Sequence, residues 1–340
     1  MSWSKPMPSR PVVAVAGATG AVGVEMLSVL AQRAFPAERV VALASSRSAG
    51  KRIGFAGGEL VVEEMTERSF EGVDIALFSA GAGVSKQFRE AVTGAGCVMI
   101  DNSSAFRMDE DVPLVVPEVN PGDVAWHSGV IANPNCSTIQ MVVALQPLAA
   151  LAPLKRVVVS TYQAASGAGQ AAMDELYEQT GDFLAGRDLV PAAFAHRIAF
   201  NCIPQIDVFL DDGSTKEEWK MVVETRKIMH LPGLAVAATC VRVPVLRCHS
   251  ESIAVEFAES VTLAAAAKAL GAAAGVKVLD DPASKSYPMP ATLEGTDDTY
   301  VGRLRIDESV PHGIQMWVVA DQLRKGAALN TVQIAEALLP

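Results

Sequence analysis

The apolar run Val12-Val13-Ala14-Val15-Ala16 leads straight into Gly17-Ala18-Thr19-Gly20-Ala21-Val22-Gly23, and the helical pattern Val24 to Ala31 follows. A buried strand that turns sharply through glycines into a helix packed against it has few homes. The commonest is the opening βα turn of a parallel sheet, where the glycine turn and the unpaired N–H groups starting the helix cradle a phosphate. The spacing is G-x-x-G-x-x-G, not G-x-G-x-x-G, so the glycines alone would mark only a tight turn; the flanking strand and helix supply the context for dinucleotide binding. The alternation continues. Strands are expected at Val40 to Ala44, Val73 to Ser79, Cys97 to Asp101 and Gly129 to Ala132, with a helix from Val84 to Thr93. Strands alternating with helices predict an α/β fold with a Rossmann-type doubly wound parallel sheet, and ligands gather beyond the carboxyl ends of its strands.

Residues at those ends carry chemistry. Ser45-Ser46-Arg47-Ser48 follows the second strand, where an NAD-preferring site would place an acidic residue against the ribose 2′-hydroxyl. An arginine and hydroxyls there suit a 2′-phosphate, which favours NADP(H); a solvated loop charge is the plainer reading of Arg47. Arg107, past the strand ending at Asp101, is placed to meet an anion. The last short strand delivers Asn133-Pro134-Asn135-Cys136-Ser137-Thr138 to the same edge, and an apolar helical run follows. Pro134 disfavours helix at Asn133, and Ser137 and Thr138 are good caps. Cys136 is therefore expected at a helix N-terminus, where N–H groups and the macrodipole bring the reactive thiolate nearer to neutral pH. Buried cysteines are otherwise mostly inert small hydrophobes. Sulfur and nicotinamide would share one cleft.

A second region follows, with a strand at 156–163, others at 235–245 and 252–259, and a helix at 262–274, which suggests an α+β domain. The small-residue turn Ala164 to Gln170 reads as a helix start that can also touch a cofactor. Thr215 to Lys227 looks like an exposed charged helix, yet Glu217 and Lys220 share one helix face as a side-by-side carboxylate and ammonium, a pair that an amino-acid phosphate needs. Arg242 and His249 bring a guanidinium and an imidazole close in sequence. Adjacent residues on a strand face opposite ways, so His249 is matched to Cys136 across the fold and not to Cys248. The terminal segment 321–336 has helical spacing and is expected to pack back on the first domain, with Gln322 and Asn330 bordering the cofactor.

The chain has 340 residues, half of them hydrophobic, so about two domains are expected. A net charge of −10 with no basic run argues against nucleic acid or an anionic membrane as partner. The five cysteines show no CxxC spacing, which indicates neither a disulfide framework nor a metal site and suits a reducing cytoplasm. No apolar run reaches the roughly eighteen residues of a membrane span, the first eleven residues lack the apolar core of a signal sequence, and residues 1–10 read as a loose tail.

In combination the strings GATGAVG, SSRSAG, FSAGAGVSK, IDNSSAFR, ANPNCST, YQAASGAGQ, EEWKMVVETRKI, CVRVPVLRCHSES and LRKGAALNTVQIAE resemble the aspartate-β-semialdehyde dehydrogenase family over nearly the full length. The resemblance implies a Rossmann NADP-binding domain at 11–135, a catalytic and dimerisation domain at 136–321, and a terminal helix at 322–340 returning to the first. It implies NADPH-dependent reductive dephosphorylation of L-aspartyl-4-phosphate to the 4-semialdehyde in lysine, threonine, methionine and isoleucine biosynthesis, by a cytoplasmic homodimer. Cys136 then matches the thioester-forming nucleophile and His249 the acid/base. Gln163, Glu217 and Arg242 match substrate-holding residues, Arg107 and Lys220 the phosphate site, and Thr19, Gly20, Ala21, Val22, Arg47, Ser48, Ser166, Gly167 and Gln322 the cofactor contacts. The competing expectations are an N-acetyl-γ-glutamyl-phosphate reductase, whose acylated substrate has no ammonium for Glu217, and a non-catalytic NADP-binding redox sensor.

Overall fold

The computed structural model describes Trp3 and residues 5–340. The chain forms two compact units, Met1–Asn135 with Ala327–Pro340, and Cys136–Gly326. The first contains β1 (Val12–Ala16), α1 (Ala21–Gln32), β2 (Arg39–Ala44), β3 (Arg52–Phe55), β4 (Gly58–Glu64), β5 (Ile75–Phe78), α2 (Ala82–Gly94), β6 (Val98–Asp101) and β7 (Val130–Ala132). Its sheet runs β3-β4-β2-β1-β5-β6-β7, all parallel except the edge pair β3–β4. β1 lies at the centre with β2 on one side and β5 on the other, so the strand order reverses there. That is the position at which a doubly wound sheet opens a crevice. β5, β6 and β7 are buried along their whole length, which is why they read as continuous apolar runs and not as alternations. The β3–β4 hairpin escaped the sequence reading because Gly54, Gly57 and Gly58 look like loop and its side chains are half in water. The expected loose tail is corrected in part. Lys5 bridges Asp74 at 3.0 Å and Trp3 donates its N–H to the His127 carbonyl, while residues 1, 2 and 4 lie outside the described residues.

The second unit contains α3 (Cys136–Ala149), β8 (Leu154–Gln163), α4 (Gln170–Leu184), α5 (Lys216–Ile228), β9 (Ala235–Arg242), β10 (His249–Phe257), α6 (Leu263–Ala272), β11 (Val276–Val278), α7 (Pro290–Leu293), β12 (Thr299–Asp307) and β13 (Gly313–Ala320). These strands form a mixed sheet, β11-β12-β13-β10-β8-β9. Helix α3 packs against α5 and α6 and against β8, β12 and β13, so it is buried on every side from Ser137 to Leu145. The strand expected to run to Val245 stops at Arg242, whose N–H and C=O pair with Ile203, two residues before Pro244 breaks the ladder. β10 begins at His249, three residues earlier than expected. β12 and β13 lie outside the strands that the pattern predicts, and in β12 a register shift between Gly302 and Arg305, with Arg303 at φ 55°, breaks the alternation that marks a strand.

Two local expectations are corrected. Ser137 and Thr138 do not cap α3: they lie inside its first turn, and their buried hydroxyls make no hydrogen bond. The helix over 216–228 is not simply exposed. A capping box at Thr215 and Glu218 starts it, and one face is buried, with Glu217 3% and Glu224 1% exposed. Finally α8 (Leu329–Glu336) belongs to the first unit. Leu329, Val332, Ile334 and Ala335 join the core formed by β1 and α1, and Arg33 grips Glu336 through two hydrogen bonds of 2.7 Å.

Candidate active site

In the first unit the three glycines of the opening turn do different work. Gly17 sits at φ 85°, and a Cβ there would lie 2.3 Å from the Ser79 carbonyl oxygen after β5. At Gly23 a Cβ would strike the Gly17 carbonyl at 2.2 Å, so this glycine lets α1 close on the turn. Gly20 precedes the helix and has ordinary space around it. A pocket of about 520 Å³ opens at this switch point, lined by Gly17, Thr19, Gly20, Ser45, Arg47 and Ser79 among others. Arg47 is exposed and Ser48 half-buried on the turn after β2. Backbone that glycine alone permits, beside the N-terminus of α1, fits a dinucleotide pyrophosphate.

Arg107 is buried in the same unit. Its guanidinium donates to the Asn133 and Asn102 carbonyls at 3.0 and 2.7 Å. Asn330 spends its amide on the Val115 carbonyl and Asn133 Oδ1, at 2.9 and 2.7 Å, so it braces the last strand.

In the second unit, strand register builds a row of side chains. Parallel pairing sets Arg242 beside Gln163, and antiparallel pairing of Ser250 with Tyr162 brings His249 to the other side of Gln163. These three residues, Gln163 about eighty positions before the other two, point to one face of the sheet, and all are nearly inaccessible, with Arg242 6%, Gln163 1% and His249 0% exposed. Gly167 lies against two of them: a Cβ there would be 2.8 Å from Arg242 Nη1 and 2.9 Å from the His249 ring. Cys136, partly exposed, is the first residue of α3, and Gly326 presses on it, since a Cβ at 326 would fall 2.8 Å from the Cys136 Cβ. Burial pulls the Arg242 guanidinium below its ordinary value, opposed first by Cys136 and then by Glu217. Arg242 thus feels both the sulfur and the acidic group.

The peptide of Ala164 orients the row. Its N–H donates to His249 Nδ1 at 3.1 Å, and its carbonyl accepts from Arg242 Nη1 at 2.7 Å. With Nδ1 accepting, a neutral imidazole carries its proton on Nε2, the nitrogen without a hydrogen-bond partner. Burial first, and then the Arg242 charge, push His249 well below the usual histidine range. His249 is therefore a neutral donor through Nε2. Ser166 and Gln322 stand alongside: Gln322 donates to the Ser166 hydroxyl and accepts from the Cys248 N–H at 2.8 Å. Gln322 accordingly lies in the second unit. Cys248 turns away, in a left-handed conformation at φ 72°, with burial pushing its thiol up to about 12.

Glu217 and Lys220 pair at 2.7 Å, and Glu217 also accepts from Gln163 Nε2 at 3.1 Å. Burial alone would lower the Lys220 ammonium, but Glu217, helped by Asp207 at 3.1 Å, outweighs it and holds the group above its ordinary value. Sequence reasoning missed Asp207 and Ala164. No local pattern marks Ala164, whose contribution is its backbone, and Asp207 is recognisable only from its reach to Lys220.

A residue that owes its identity to close approach gives a direct test. Alanine is normally the better helix former, yet Gly326→Ala should cost about 1–3 kcal/mol through overpacking and slow turnover by roughly 10- to 100-fold as Cys136 shifts. Thermal melting and steady-state kinetics check this; a stabilised variant with unchanged turnover would refute it.

Comparisons with known proteins identify the family. Residues 12–127 match the model of the semialdehyde dehydrogenase NAD binding domain, and residues 145–325 that of the semialdehyde dehydrogenase dimerisation domain. The aspartate-semialdehyde dehydrogenase of Aquifex aeolicus is 54% identical over 331 residues, covering 96% of this chain and 97% of its own. The chain belongs to the aspartate-semialdehyde dehydrogenase family. It is an oxidoreductase with the two-domain α/β fold of that family. The Bacillus subtilis aspartate-semialdehyde dehydrogenase is 52% identical over 334 residues, with 96% of each chain covered. The crystal structure of aspartate semialdehyde dehydrogenase II from Vibrio cholerae superposes with a TM-score of 0.94 at 47% identity, over 97% of this chain and 98% of that one, and the same protein has been solved complexed with ASA. The Candida albicans family member, solved with NADP, superposes at 0.75 with 25% identity, over 97 and 98% of the two chains.

Proposed function

We propose that this chain catalyses the reversible NADPH-dependent reductive dephosphorylation of L-aspartyl-4-phosphate to L-aspartate 4-semialdehyde through a thioester on Cys136. The observation that carries the reading is the partly exposed sulfur at the start of α3, felt by the Arg242 charge, in the same unit as a histidine fixed as a neutral Nε2 donor. The helix N-terminus and the guanidinium favour the thiolate. Sulfur attacks the acyl carbon, the bond from that carbon to the phosphate oxygen breaks, and phosphate leaves as an anion that Arg107 and Lys220 stabilise. NADPH, when bound, supplies hydride to the thioester carbon. The His249 Nε2–H then stabilises the hemithioacetal oxygen, together with N–H groups of the first turn of α3, before the carbon–sulfur bond breaks. Arg242 offers a fork to the α-carboxylate, Glu217 and Gln163 hold the α-ammonium, and Ser166, Gly167 and Gln322 border the cofactor.

Thr19 to Val22 and the Gly17 backbone would hold the pyrophosphate, while Arg47 and Ser48 favour NADP over NAD. Arg47→Asp should weaken NADPH binding by about 100-fold and NADH binding little, because it replaces attraction to a 2′-phosphate by repulsion. Fluorescence titration with both cofactors checks this, and equal losses would remove the 2′-phosphate assignment. The match to a dimerisation domain supports a homodimer. Among the described residues no helix is long and apolar enough to cross a membrane, and a thiolate nucleophile suits a reducing cytoplasm.

The decisive assay is reduction of NADP by aspartate semialdehyde, with and without phosphate. A phosphate-dependent rate supports the reading. Turnover of N-acetylglutamate semialdehyde instead would favour the acylated-substrate alternative, against which the buried Glu217 carboxylate already argues.

A further inference from the structure

Behind the row of Arg242, Gln163 and His249 the sheet carries a second row that the reaction does not use. One pleat deeper, on the same face, Cys240 pairs with Thr161 and Thr161 with Glu251. Glu251 is completely buried, and neither of its carboxyl oxygens has a hydrogen-bond partner. Gln140, on α3, is in the same state: completely buried, with amide nitrogen and oxygen both unpartnered. The amide stands close enough to draw on the carboxyl, yet the two stop short of hydrogen-bond geometry. Burial, opposed by Gln140 and reinforced by the Glu217 charge, pushes the Glu251 carboxyl well above the usual range. A neutral carboxylic acid and a carboxamide each present one donor and one acceptor to the other, so the pair can close two hydrogen bonds. A carboxylate would leave the amide oxygen facing a charge.

Their positions give the pair a consequence. Gln140 lies four residues after Cys136, one turn along the same face of α3, and Glu251 lies two residues after His249 on the same face of β10. Four helix residues advance about 6 Å and two strand residues about 6.8 Å, so each pair lies within one short step on its own element. Cys136 and Gln140 ride on one helix and His249 and Glu251 on one strand, so fixing Gln140 against Glu251 limits where Cys136 can lie relative to His249, as a rung limits two uprights, here α3 and β10. We propose that the Glu251 carboxylic acid and the Gln140 carboxamide form the rung that sets the separation of Cys136 from His249, as positioning residues that touch no substrate. The proposal rests on the nucleophile and donor roles given above.

The test uses the full chain with NADP and four variants: Glu251→Gln, Glu251→Leu, Gln140→Leu and the double leucine variant. Two quantities are read, steady-state kinetics with aspartate semialdehyde and the rate of Cys136 alkylation by iodoacetamide, followed by peptide mass spectrometry. Glu251→Gln keeps the neutral pairing and should stay within about threefold of wild type in both. Each single leucine variant should lose at least tenfold in kcat, with KM for NADP unchanged, and should alter the alkylation rate by a similar factor. The double variant should recover much of that loss, because removing both partners leaves no orphaned polar group. Multiplying losses in the double variant, or wild-type kcat in the singles, would overturn the rung. Where a leucine variant does not fold, Glu251→Gln decides: a loss above tenfold overturns the proposal, and retained activity supports it. A wild-type chain that fails to turn over aspartate semialdehyde while its variants keep the alkylation pattern would sink the substrate reading and leave the rung standing.

Discussion

Cys136→Ala should abolish turnover, by about 10⁴-fold or more, while leaving NADPH affinity within about twofold of wild type. The reason for the split lies in the chain's division of labour. The glycine turn, Arg47 and the switch-point pocket belong to the first compact unit and do not depend on the sulfur, which opens α3 in the second. On the proposed route, losing the thiolate removes the covalent acyl carrier and leaves no nucleophile held in place for direct attack on an acyl phosphate. Steady-state assay and fluorescence titration of NADPH measure the two halves separately. Cys202 is exposed, so Cys202→Ser serves as the control and should change neither. Residual turnover of Cys136→Ala within 100-fold of wild type would contradict the nucleophile assignment.

The second large effect separates two roles for His249. With Nδ1 accepting the Ala164 N–H at 3.1 Å, the ring offers Nε2–H, and protonating Nδ1 as well would break that bond. His249→Asn keeps an acceptor near Nδ1 but no donor near Nε2, and turnover should fall by about 10²- to 10³-fold. His249→Gln places an N–H near the Nε2 position and should retain activity within roughly tenfold of wild type. Equal losses in the two variants would return the residue to a proton-carrying role. The same group leaves a mark on stability. Its folded-state proton affinity is depressed, so the stability tied to neutral His249 is present above the unfolded value of about 6.5 and is lost as pH falls toward the folded one. The melting temperature of His249→Gln should therefore drop less than that of wild type between about pH 7 and 5, a difference a pH series of thermal melts would detect.

The first-unit strands were legible because parallel strands covered on both faces are written as unbroken apolar runs, and Gly17 and Gly23 of the opening turn each have a steric reason to be glycine. Cys136 at the start of a helix was legible too, since Pro134 and the apolar run after it act locally. The capping roles given to Ser137 and Thr138 were not sound, because a capping residue precedes the first helical residue, and α3 begins at Cys136, before both of them. The spacing of Glu217 and Lys220 announced their pairing, but the charged pattern of α5 concealed its buried face and the reach of Gln163 to Glu217, which comes from a strand about fifty residues away.

Sequence by itself determined the central strand–helix alternation of the first unit and the helix that opens at Cys136, because propensity and glycine sterics act over a few neighbours. Tertiary structure alone decided that Arg242, Gln163 and His249 form one row, that the Ala164 peptide fixes the imidazole tautomer, and that Glu251 faces Gln140. The register between strands about eighty residues apart is set by long-range hydrogen bonding and by how α3 packs on the sheet, and no local signal in the chain encodes it.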